Sequence, residues 1–352
     1  KMKTKKYSII SLDKFITKAL YEKNTGYYMS KNPFGKKGDF ITSPNISIFF
    51  SEIIAIWIIS FWKNLKEPKK LNIIELGAGN GEMINIISRT FKKFPILNNI
   101  CKIYILEKSP YLIKLQKKNI KYKKVFWITN LNKIKDGPNI FLANEFFDAL
   151  PIKQFLKKNK LWLERKVKFE GVDPKNFFDV KTDIKKIEKT VGYKISKNQD
   201  FLEISDEAMK YINIISNKIN KFGGGLLIID YGYIQKKMKH TLRGIQNHKI
   251  VNILSNYKKC DITYSLAFNF FKKIGKKYKL KVSGLTTQGN FLKNLGIMHR
   301  AEIVSKNLPF TKKADIYYRI KKLIDKKLMG EVFKVMLLTN NKTKFNIGFR
   351  SD

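Results

Sequence analysis

The sequence predicts an α/β fold built on a Rossmann-like, doubly wound parallel sheet. Short apolar runs alternate with segments long enough for helices, a glycine-rich loop follows the first run, and polar or turn-forming residues follow most of the others. Because the runs are apolar almost throughout, we expect strands that are buried on both faces. In such a sheet, ligands bind at the carboxyl ends of the strands.

The predicted strands are separated by helix-length segments, which favours parallel pairing. They lie mainly in the middle of the chain, and one late run is predicted to close the sheet. In chain order they are Leu71–Leu76, Lys102–Glu107, Val125–Thr129, Asn139–Asn144, Gly225–Asp230 and the late run Glu331–Leu338.

The chain before the first strand has two predicted features. Residues Lys1–Pro44 are expected to form a helical extension that packs on the sheet domain. The apolar run Ile46–Trp62 is shorter than the roughly 20 apolar residues that span a bilayer, and Glu52 interrupts it, so a buried helix is favoured over a membrane span. Its outer residues could instead form an oligomer surface, which leaves a homodimer open.

A change of composition after Pro151 predicts an inserted lobe on the substrate side. Up to about Asp200 the chain is rich in Lys and loses the alternation, although Gln154–Leu156 and Leu161–Phe169 have β character. The sequence therefore predicts four parts. They are an extension and lid at 1–65, the first half of the sheet domain at 66–150, the lobe at 151–200, and the second half with closing C-terminal strands at 201–352.

Charge and cysteine content narrow the classes of function. The 352 residues include 71 Lys plus Arg and 28 Asp plus Glu, a net charge of +43. Because the lysines are spread along the chain with abundant Ile and Asn, as in AT-rich genomes, we interpret them as solvated surface and expect no nucleic-acid partner. Cys101 and Cys260 are isolated, which predicts neither a disulfide nor a metal site. A bacterial cytoplasmic location is favoured over the mitochondrial matrix.

The glycine loop runs from Glu75 through Gly77, Ala78 and Gly79 to Gly81, after a strand and before a helix. Glycines allow a tight turn and let backbone N–H groups approach a ligand. The G-x-G-x-G spacing differs from the G-x-G-x-x-G of nicotinamide sites, and the GK[ST] of a P-loop is absent. S-adenosylmethionine fits better, because it brings no phosphate.

Glu107 ends the second predicted strand, where a carboxylate can accept hydrogen bonds from two ribose hydroxyls. The alternative, an exposed acid at a strand end, is less favoured beside the glycine loop.

The fourth predicted strand ends in the block Asn144–Pro151, which carries two acids. Glu145 and Asp148 are three residues apart, so on a helical turn they would share a face beside aromatic residues. Two carboxylates suit the planar fork of a guanidinium, and partial neutralisation could expose a nitrogen lone pair to a methyl group. The alternative is that both acids only stabilise the start of a helix.

Histidines offer one further class of catalytic group. None of the three has an orienting partner that is evident in the sequence, so structural roles are favoured. His248, in the segment after Asp230, is the best candidate for a base.

Six blocks along the chain form a pattern when they are taken together. They begin at Gly38, Glu75, Asn144, Ile229, Gln288 and Met329, and they read GDFITSP, ELGAGNG, NEFFDALP, IDYG, QGNFL and MGE. This series resembles the MidA-like methyltransferases, a family that includes a mitochondrial assembly factor of respiratory complex I. The resemblance extends from about Leu12 to Leu338, and the Asn144 block is its most specific part.

The resemblance implies a class I methyltransferase sheet and protein arginine methylation, with S-adenosylmethionine as donor and, in the mitochondrial members, a core subunit of complex I as substrate. Carried over by position, the acceptor would face Asn144, Glu145 and Asp148. The residues implied to hold the cofactor are Glu75, Gly77, Ala78, Gly79, Gly81, Glu107 and Asn144. Those implied to cover it as a lid are Gly38, Asp39, Thr42, Ser43 and Pro44.

The chain departs from the family pattern at three positions. Members commonly have Glu where this chain has Asn45, and His and Asp near the places of Ser265 and Ala267. If the usual side chains position substrate or water, the activity or the target differs here.

Two other function classes stay open. Methylation of RNA, DNA or a small molecule would suit the basic charge, but enzymes that methylate amino groups of nucleic acids usually carry an Asn/Asp-Pro-Pro-aromatic motif at the fourth strand. The other is a noncatalytic assembly chaperone that keeps the cofactor site as a relic, which the intact glycine loop and Glu107 argue against.

Overall fold

The structure is a computed structural model, and it describes residues 7–30 and 42–349. The strands are β1 Tyr7–Ser11, β2 Leu71–Leu76, β3 Cys101–Leu106, β4 Val125–Ile128, β5 Asn139–Asn144, β6 Lys153–Lys158, β7 Leu161–Glu170, β8 Asp173–Lys181, β9 Phe201–Ile204, β10 Gly224–Tyr233, β11 Arg243–Gln246, β12 Lys249–Val251, β13 Asp261–Thr263, β14 Leu266–Ala267, β15 Lys281–Thr287 and β16 Phe333–Thr339.

The helices alternate with the strands of the central part of the chain. They are α1 Leu12–Tyr21, α2 Tyr27–Ser30, α3 Ser43–Ile46, α4 Ile48–Asn64, α5 Glu82–Phe91, α6 Pro95–Ile100, α7 Pro110–Asn119, α8 Ile184–Val191, α9 Asp206–Phe222, α10 Phe268–Lys277, α11 Gln288–Asn294, α12 Ile297–Ser305, α13 Phe310–Ile324 and α14 Met329–Val332, with a 3-10 turn at Leu131–Lys133.

The main sheet confirms the predicted α/β architecture. Its order is β15-β16-β10-β5-β2-β3-β4, and the five strands from β10 to β4 are parallel. Alternate residues of a strand face opposite sides, so Phe141 and Ala143 of β5 enter one apolar core while Ile140 and Leu142 enter the other. Helices α9 and α10 cover the first face and α4, α5 and α13 the second, which makes the sheet doubly wound.

The helix α4 accounts for the most apolar run of the sequence. Eleven of its 17 residues are buried, including Trp57 and Phe61. Phe61 also stacks on Phe345 with ring centroids 4.5 Å apart. Within residues 7–30 and 42–349, no helix is both long and apolar enough to cross a membrane.

The late strand predicted within Glu331–Leu338 is present in the main sheet as β16, but it is not the edge strand. It lies between β10 and β15 and runs antiparallel to both. The edge strand is β15, which sequence patterning missed because its seven residues are all half-buried and several are polar.

The inserted lobe is an antiparallel sheet of β6, β7, β8 and β9. This sheet also includes β1, which pairs antiparallel with residues 166–170 of β7. The N-terminal extension is therefore not wholly helical. The lobe continues to Ile204 and includes an N-terminal strand. It therefore contains more of the chain than the predicted segment 151–200. The division into four parts stays a prediction.

A third, smaller sheet lies beside the functional site. In it β11 pairs antiparallel with both β12 and β13. This sheet brings residues from 243 to 263 to the carboxyl ends of the main strands, where the cavity described below lies.

Candidate active site

A cavity of about 400 Å³ lies at the carboxyl ends of β2, β3, β5 and β10. This is the edge where the sequence predicted a ligand site. Tyrosines of α1 and α2 and residues of the small β11–β13 sheet complete its wall. The predicted site residues that line it are Thr42, Pro44, Glu75, Gly77, Ala78, Gly79, Glu107, Asn144, Glu145, Asp148 and His248.

Two of the predicted site residues that the structure describes, Ser43 and Gly81, are not in this wall. Ser43 is fully buried, and its hydroxyl donates to Gln288 Oε1 at 3.2 Å. Gly81 caps α5, and a Cβ there would lie 3.0 Å from the Ile120 side chain. Both thus support neighbours of the cavity in this structure. Gly38 and Asp39 lie outside the described residues.

The glycine loop adopts a backbone that favours glycine. Gly77, Gly79 and Gly81 have φ of 66°, 54° and 84°, in the left-handed region. At Gly77 a Cβ would also lie 3.0 Å from the Phe146 ring. The loop therefore turns sharply from β2 into α5 and leaves its backbone bare toward the cavity.

Glu107 is fixed by several hydrogen bonds at the end of β3. Its Oε1 accepts from the backbone N–H groups of Lys108 and Ser109, both at 2.9 Å. Its Oε2 accepts from Gln116 Nε2 at 3.1 Å, and the same amide donates to Gly79 O at 2.9 Å. Burial raises the pKa of Glu107, and these hydrogen bonds oppose that rise. The carboxyl is thus held in one place and linked to the glycine loop.

Glu145 follows β5 directly, with a φ of 51° that non-glycine residues rarely adopt. Its Oε1 accepts from the Ser43 N–H at 3.3 Å and from Asn144 Nδ2 at 3.2 Å. Burial, and then the nearby Asp148, raises the pKa of Glu145 to about 8. Its carboxyl is therefore largely protonated at neutral pH.

The prediction that Glu145 and Asp148 share a face of a helical turn is wrong, because residues 145–150 form a non-helical turn. Buried Asp230 holds that turn, since its Oδ2 accepts from the N–H groups of Phe147 at 3.1 Å and Asp148 at 3.3 Å. Both carboxyls nevertheless line the same cavity. The side chains are brought together without the expected helix.

Asp148 has a different electrostatic environment from Glu145. The Thr263 hydroxyl donates to Asp148 Oδ2 at 2.9 Å. Burial raises the pKa of Asp148 to about 6, while Thr263 and the Arg243 guanidinium hold it down. At neutral pH the two carboxyls therefore differ, with Asp148 ionised and Glu145 mostly neutral.

Sequence reasoning missed several residues of the cavity wall, among them Tyr21, Tyr28, Asp261 and Arg243. The Tyr28 hydroxyl donates to Asp261 Oδ1 at 2.7 Å. The rings of Tyr21 and Tyr28 stack with centroids 5.7 Å apart. The hydrogen bond between Tyr28 and Asp261 joins residues that are 233 positions apart, so no local pattern indicated it.

His248 is the histidine that reaches the cavity wall. It lies in the turn between β11 and β12, with a φ of 61°. His240 instead lies 3.2 Å from Arg165, and His299 lies on α12, 3.9 Å from Glu302. The role of His248 as a base stays a prediction.

Comparison with known sequences identifies the family. Residues 53–286 match the profile of a family of S-adenosyl-L-methionine-dependent methyltransferases. The chain belongs to this family. It is therefore a methyltransferase that uses S-adenosylmethionine, as the glycine loop and the resemblance predicted.

Individual relatives of this methyltransferase agree over nearly all of its length. It is 31% identical to the mitochondrial protein arginine methyltransferase NDUFAF7 of Xenopus tropicalis, over 94% of this chain and 83% of the relative. It is 28% identical to the human protein of that name, over 96% of this chain and 81% of the relative. These matches confirm the resemblance to the MidA-like family.

The methyltransferase fold is also shared with solved structures. A COG1565 superfamily member of Burkholderia thailandensis, crystallised with S-adenosyl-homocysteine, superposes with a TM-score of 0.78 and 20% identity, covering 97% of this chain and 89% of that one. A native crystal structure from the same organism also gives 0.78 and 20%, with 97% and 90% covered. The predicted class I methyltransferase sheet is thereby confirmed.

The residues of this methyltransferase around the glycine loop fit S-adenosylmethionine. Glu75 Oε2 is buried without a hydrogen-bond partner in the described part of the chain, and burial, followed by the charge of Glu107, raises the pKa of Glu75 to about 8. Such an acceptor suits an ammonium group, which would satisfy the oxygen and favour its ionised form. Glu107 offers a second acceptor, suited to hydroxyl groups, across the loop.

The three departures from the family pattern have different surroundings. Asn45 Nδ2 donates to Thr42 Oγ1 at 2.7 Å, and Asn45 Oδ1 accepts from Asn80 Nδ2 at 2.8 Å, so this residue joins α3 to the glycine loop. Ser265 and Ala267 line a separate small cavity beside Tyr264. Neither of them is in the wall of the main cavity.

Proposed function

We propose that this methyltransferase transfers its methyl group to an arginine side chain of a protein. The observation that carries the proposal is the pair of carboxyls, Glu145 and Asp148, in the same cavity as the glycine loop. Two carboxylates match the fork of donors on a guanidinium. The relatives that are named protein arginine methyltransferases support the same acceptor.

The residues that would hold the cofactor are Glu75, Gly77, Gly79 and Glu107, with Thr42 and Pro44 on the lid side. When bound, the cofactor supplies a methyl group on a sulfonium centre. Transfer from such a centre needs mainly alignment, so the task of the protein is to bind and orient the acceptor.

The acid pair has two tasks in this mechanism. Asp148, ionised at neutral pH, accepts hydrogen bonds from the guanidinium and so orients it. Glu145, whose pKa is raised to about 8, must first lose its own proton, and its carboxylate can then take the proton that the nitrogen releases on methylation. Asn144 Nδ2 donates to Glu145 Oε1 and so helps to orient it. We keep His248 as a further proton-exchanging group of the same cavity.

The finer parts of the proposal rest on the sequence and the family resemblance. They are a protein substrate of the respiratory complex I type, a cytoplasmic location and a homodimer. The second candidate is a nucleic-acid or small-molecule acceptor. The net charge of +43 favours a nucleic acid of these two. A noncatalytic chaperone is the third.

Labelled methyl transfer to a cell extract separates these candidates. We expect one or a few labelled proteins with wild type, and a loss of about 100-fold or more in Glu145→Ala and in Asp148→Ala. Asp179→Ala is the matched control, because Asp179 pairs with Arg165 on the inserted lobe, away from the cavity.

The other outcomes contradict the proposal in distinct ways. Label that nuclease removes would indicate a nucleic-acid acceptor. Binding of S-adenosylmethionine in calorimetry without any transfer would favour the chaperone. Unchanged labelling in both cavity variants would rule out the acid pair.

A further inference from the structure

Arg243 is a cation in a cavity that is proposed to receive a cation. It begins β11 and lines the cavity together with Glu145 and Asp148. Its guanidinium carbon lies 5.5 Å from the centroid of the Tyr231 ring, within the range of cation–π contacts. A substrate guanidinium would be repelled by this charge unless a carboxylate balances it.

Strand pairing fixes Arg243 beside Asp148. Arg243 lies opposite Thr263 in the antiparallel pair of β11 and β13. The Thr263 hydroxyl donates to Asp148 Oδ2 at 2.9 Å, and the next residue, Tyr264, donates its N–H to Asp148 O at 3.2 Å. The side chain and the backbone of Asp148 are thus bonded to β13 and to the residue after it. β13 is the strand that pairs with β11, where Arg243 lies.

The hydrogen-bonding state of Arg243 shows how it can act. Its Nε is buried and has no hydrogen-bond partner among the described residues. Lys108, another cation of the cavity wall, is engaged by Glu207 at 2.6 Å. Among the described cations of the cavity wall, Arg243 is therefore the one left to balance the carboxyls on the acceptor side. It acts through its nearby charge, and the Tyr231 ring lies within cation–π distance of its guanidinium.

We propose that Arg243 is a positioning residue that keeps Asp148 ionised in the free site and leaves Glu145 as the carboxyl that responds to the incoming acceptor. The role toward Asp148 is independent of the acceptor. The role of Glu145 rests on the proposed arginine substrate.

Several titratable groups surround Asp148, and burial is the main factor that opposes its ionisation. Glu145 follows β5, Asp230 and Tyr231 come from β10, Asp261 and Tyr264 from β13 and the residue after it, Tyr21 from α1, and His248 from the turn between β11 and β12. The four carboxyls repel one another's charge, and burial disfavours all of them. Despite this, the pKa of Asp148 rises only to about 6, with Thr263 and Arg243 as its stabilising partners.

A division of labour between the two acids follows. The Asp148–Arg243 pair is close to neutral as a unit, so it neither attracts nor repels a second guanidinium strongly. Glu145 must then lose its proton to balance the charge of the acceptor. Methyl transfer should accordingly follow the ionisation of Glu145, with Asp148 already charged.

A carboxyl titration by NMR tests the role of Arg243 without any substrate. The free protein is labelled at the Asp side-chain carboxyl carbon, and Asp148→Asn assigns the resonance. In Arg243→Met we expect the titration midpoint of Asp148 to rise by about one pH unit or more, because a nearby positive charge is lost. Arg243→Lys, which keeps the charge, should restore most of the shift.

A midpoint that is the same in wild type and Arg243→Met would overturn the proposal. If Arg243→Met does not fold, as judged by its thermal unfolding, Arg243→Gln makes the same comparison with a polar side chain of similar reach. An equal midpoint in that variant would overturn the proposal as well.

The pH profile of methyl transfer gives the second readout. In Arg243→Met the lower part of the acid limb, where Asp148 loses its charge, should become steep at a higher pH than in wild type, and Arg243→Lys should return it toward wild type. Absence of transfer by wild type would refute the proposed function, while the NMR titration would still decide the role of Arg243. An unchanged NMR titration overturns that role even in an active enzyme.

Discussion

At the level of single residues, Glu145 is an acid whose surroundings disfavour its negative charge. Its pKa is raised from 4.5 to about 8, so the folded protein holds this proton more tightly than the unfolded chain. The resulting stabilisation is complete below about pH 4.5 and is lost as pH rises to 8. The side chain at this position in Glu145→Gln is neutral at every pH. In protein without cofactor, the melting temperature of the variant minus that of wild type should therefore increase steadily from pH 5 to pH 8.

The control for this thermal experiment is Glu207→Gln, because Glu207 lies outside the cavity wall and pairs with Lys108. The melting temperature of Glu207→Gln minus that of wild type should not increase from pH 5 to pH 8. If the curves of Glu145→Gln and wild type run parallel from pH 5 to pH 8, Glu145 does not have the raised pKa on which the mechanism depends.

Residue-level features of the site were predictable only where they are local in the chain. Glu145 and Asp148 fall in one short block, and the loop glycines show their spacing directly. Arg243 and Asp261 approach the cavity only through the pairing of β11 with β13, which depends on tertiary structure. The helical turn was a wrong inference, because Asp230 supplies the hydrogen bonds that shape residues 145–150.

At the level of elements, Asn45 connects the short helix α3 to the glycine loop. It donates to Thr42 and accepts from Asn80, a combination that its amide allows and a carboxylate does not. Asn45→Ala removes both contacts. We expect it to weaken S-adenosyl-homocysteine binding about three- to tenfold, the effect of one or two hydrogen bonds, in calorimetry.

Asn64→Ala is the matched control for Asn45→Ala, since its amide bonds Lys344 O at the end of α4, outside the cavity wall. Its affinity for S-adenosyl-homocysteine should equal that of wild type. Equal affinity in Asn45→Ala would show that the link between α3 and the loop does not support the cofactor site.

Elements with strong apolar patterns were predicted well, and weakly patterned ones were not. The central parallel strands β2, β5 and β10 and the helix α4 are mostly buried and apolar, so their sequences alone indicate them. The edge strand β15 and the lobe strand β1 contain exposed or half-buried positions, and their pairing is with distant segments. Their existence is decided by their partners, which local propensity does not specify.

At the level of the whole molecule, the residues predicted to hold the cofactor and those proposed to bind the acceptor lie at one edge of the main sheet. The parallel strands end on a single cavity, with the glycine loop and Glu107 provided by β2 and β3 and the acid pair by the chain after β5. The small sheet and the tyrosines of α1 and α2 complete the wall. The basic surface, with its net charge of +43, is not needed for this arrangement.

The most direct test of this account identifies the atom that receives the methyl group. The protein labelled in the cell extract is digested, and the modified residue is located by mass spectrometry with fragmentation. We predict methyl groups on guanidino nitrogens of one or a few arginines, present with wild type and absent with Glu145→Ala. Methylation of lysine, a carboxyl group or a nucleic acid would contradict the arginine acceptor and the role given to the acid pair.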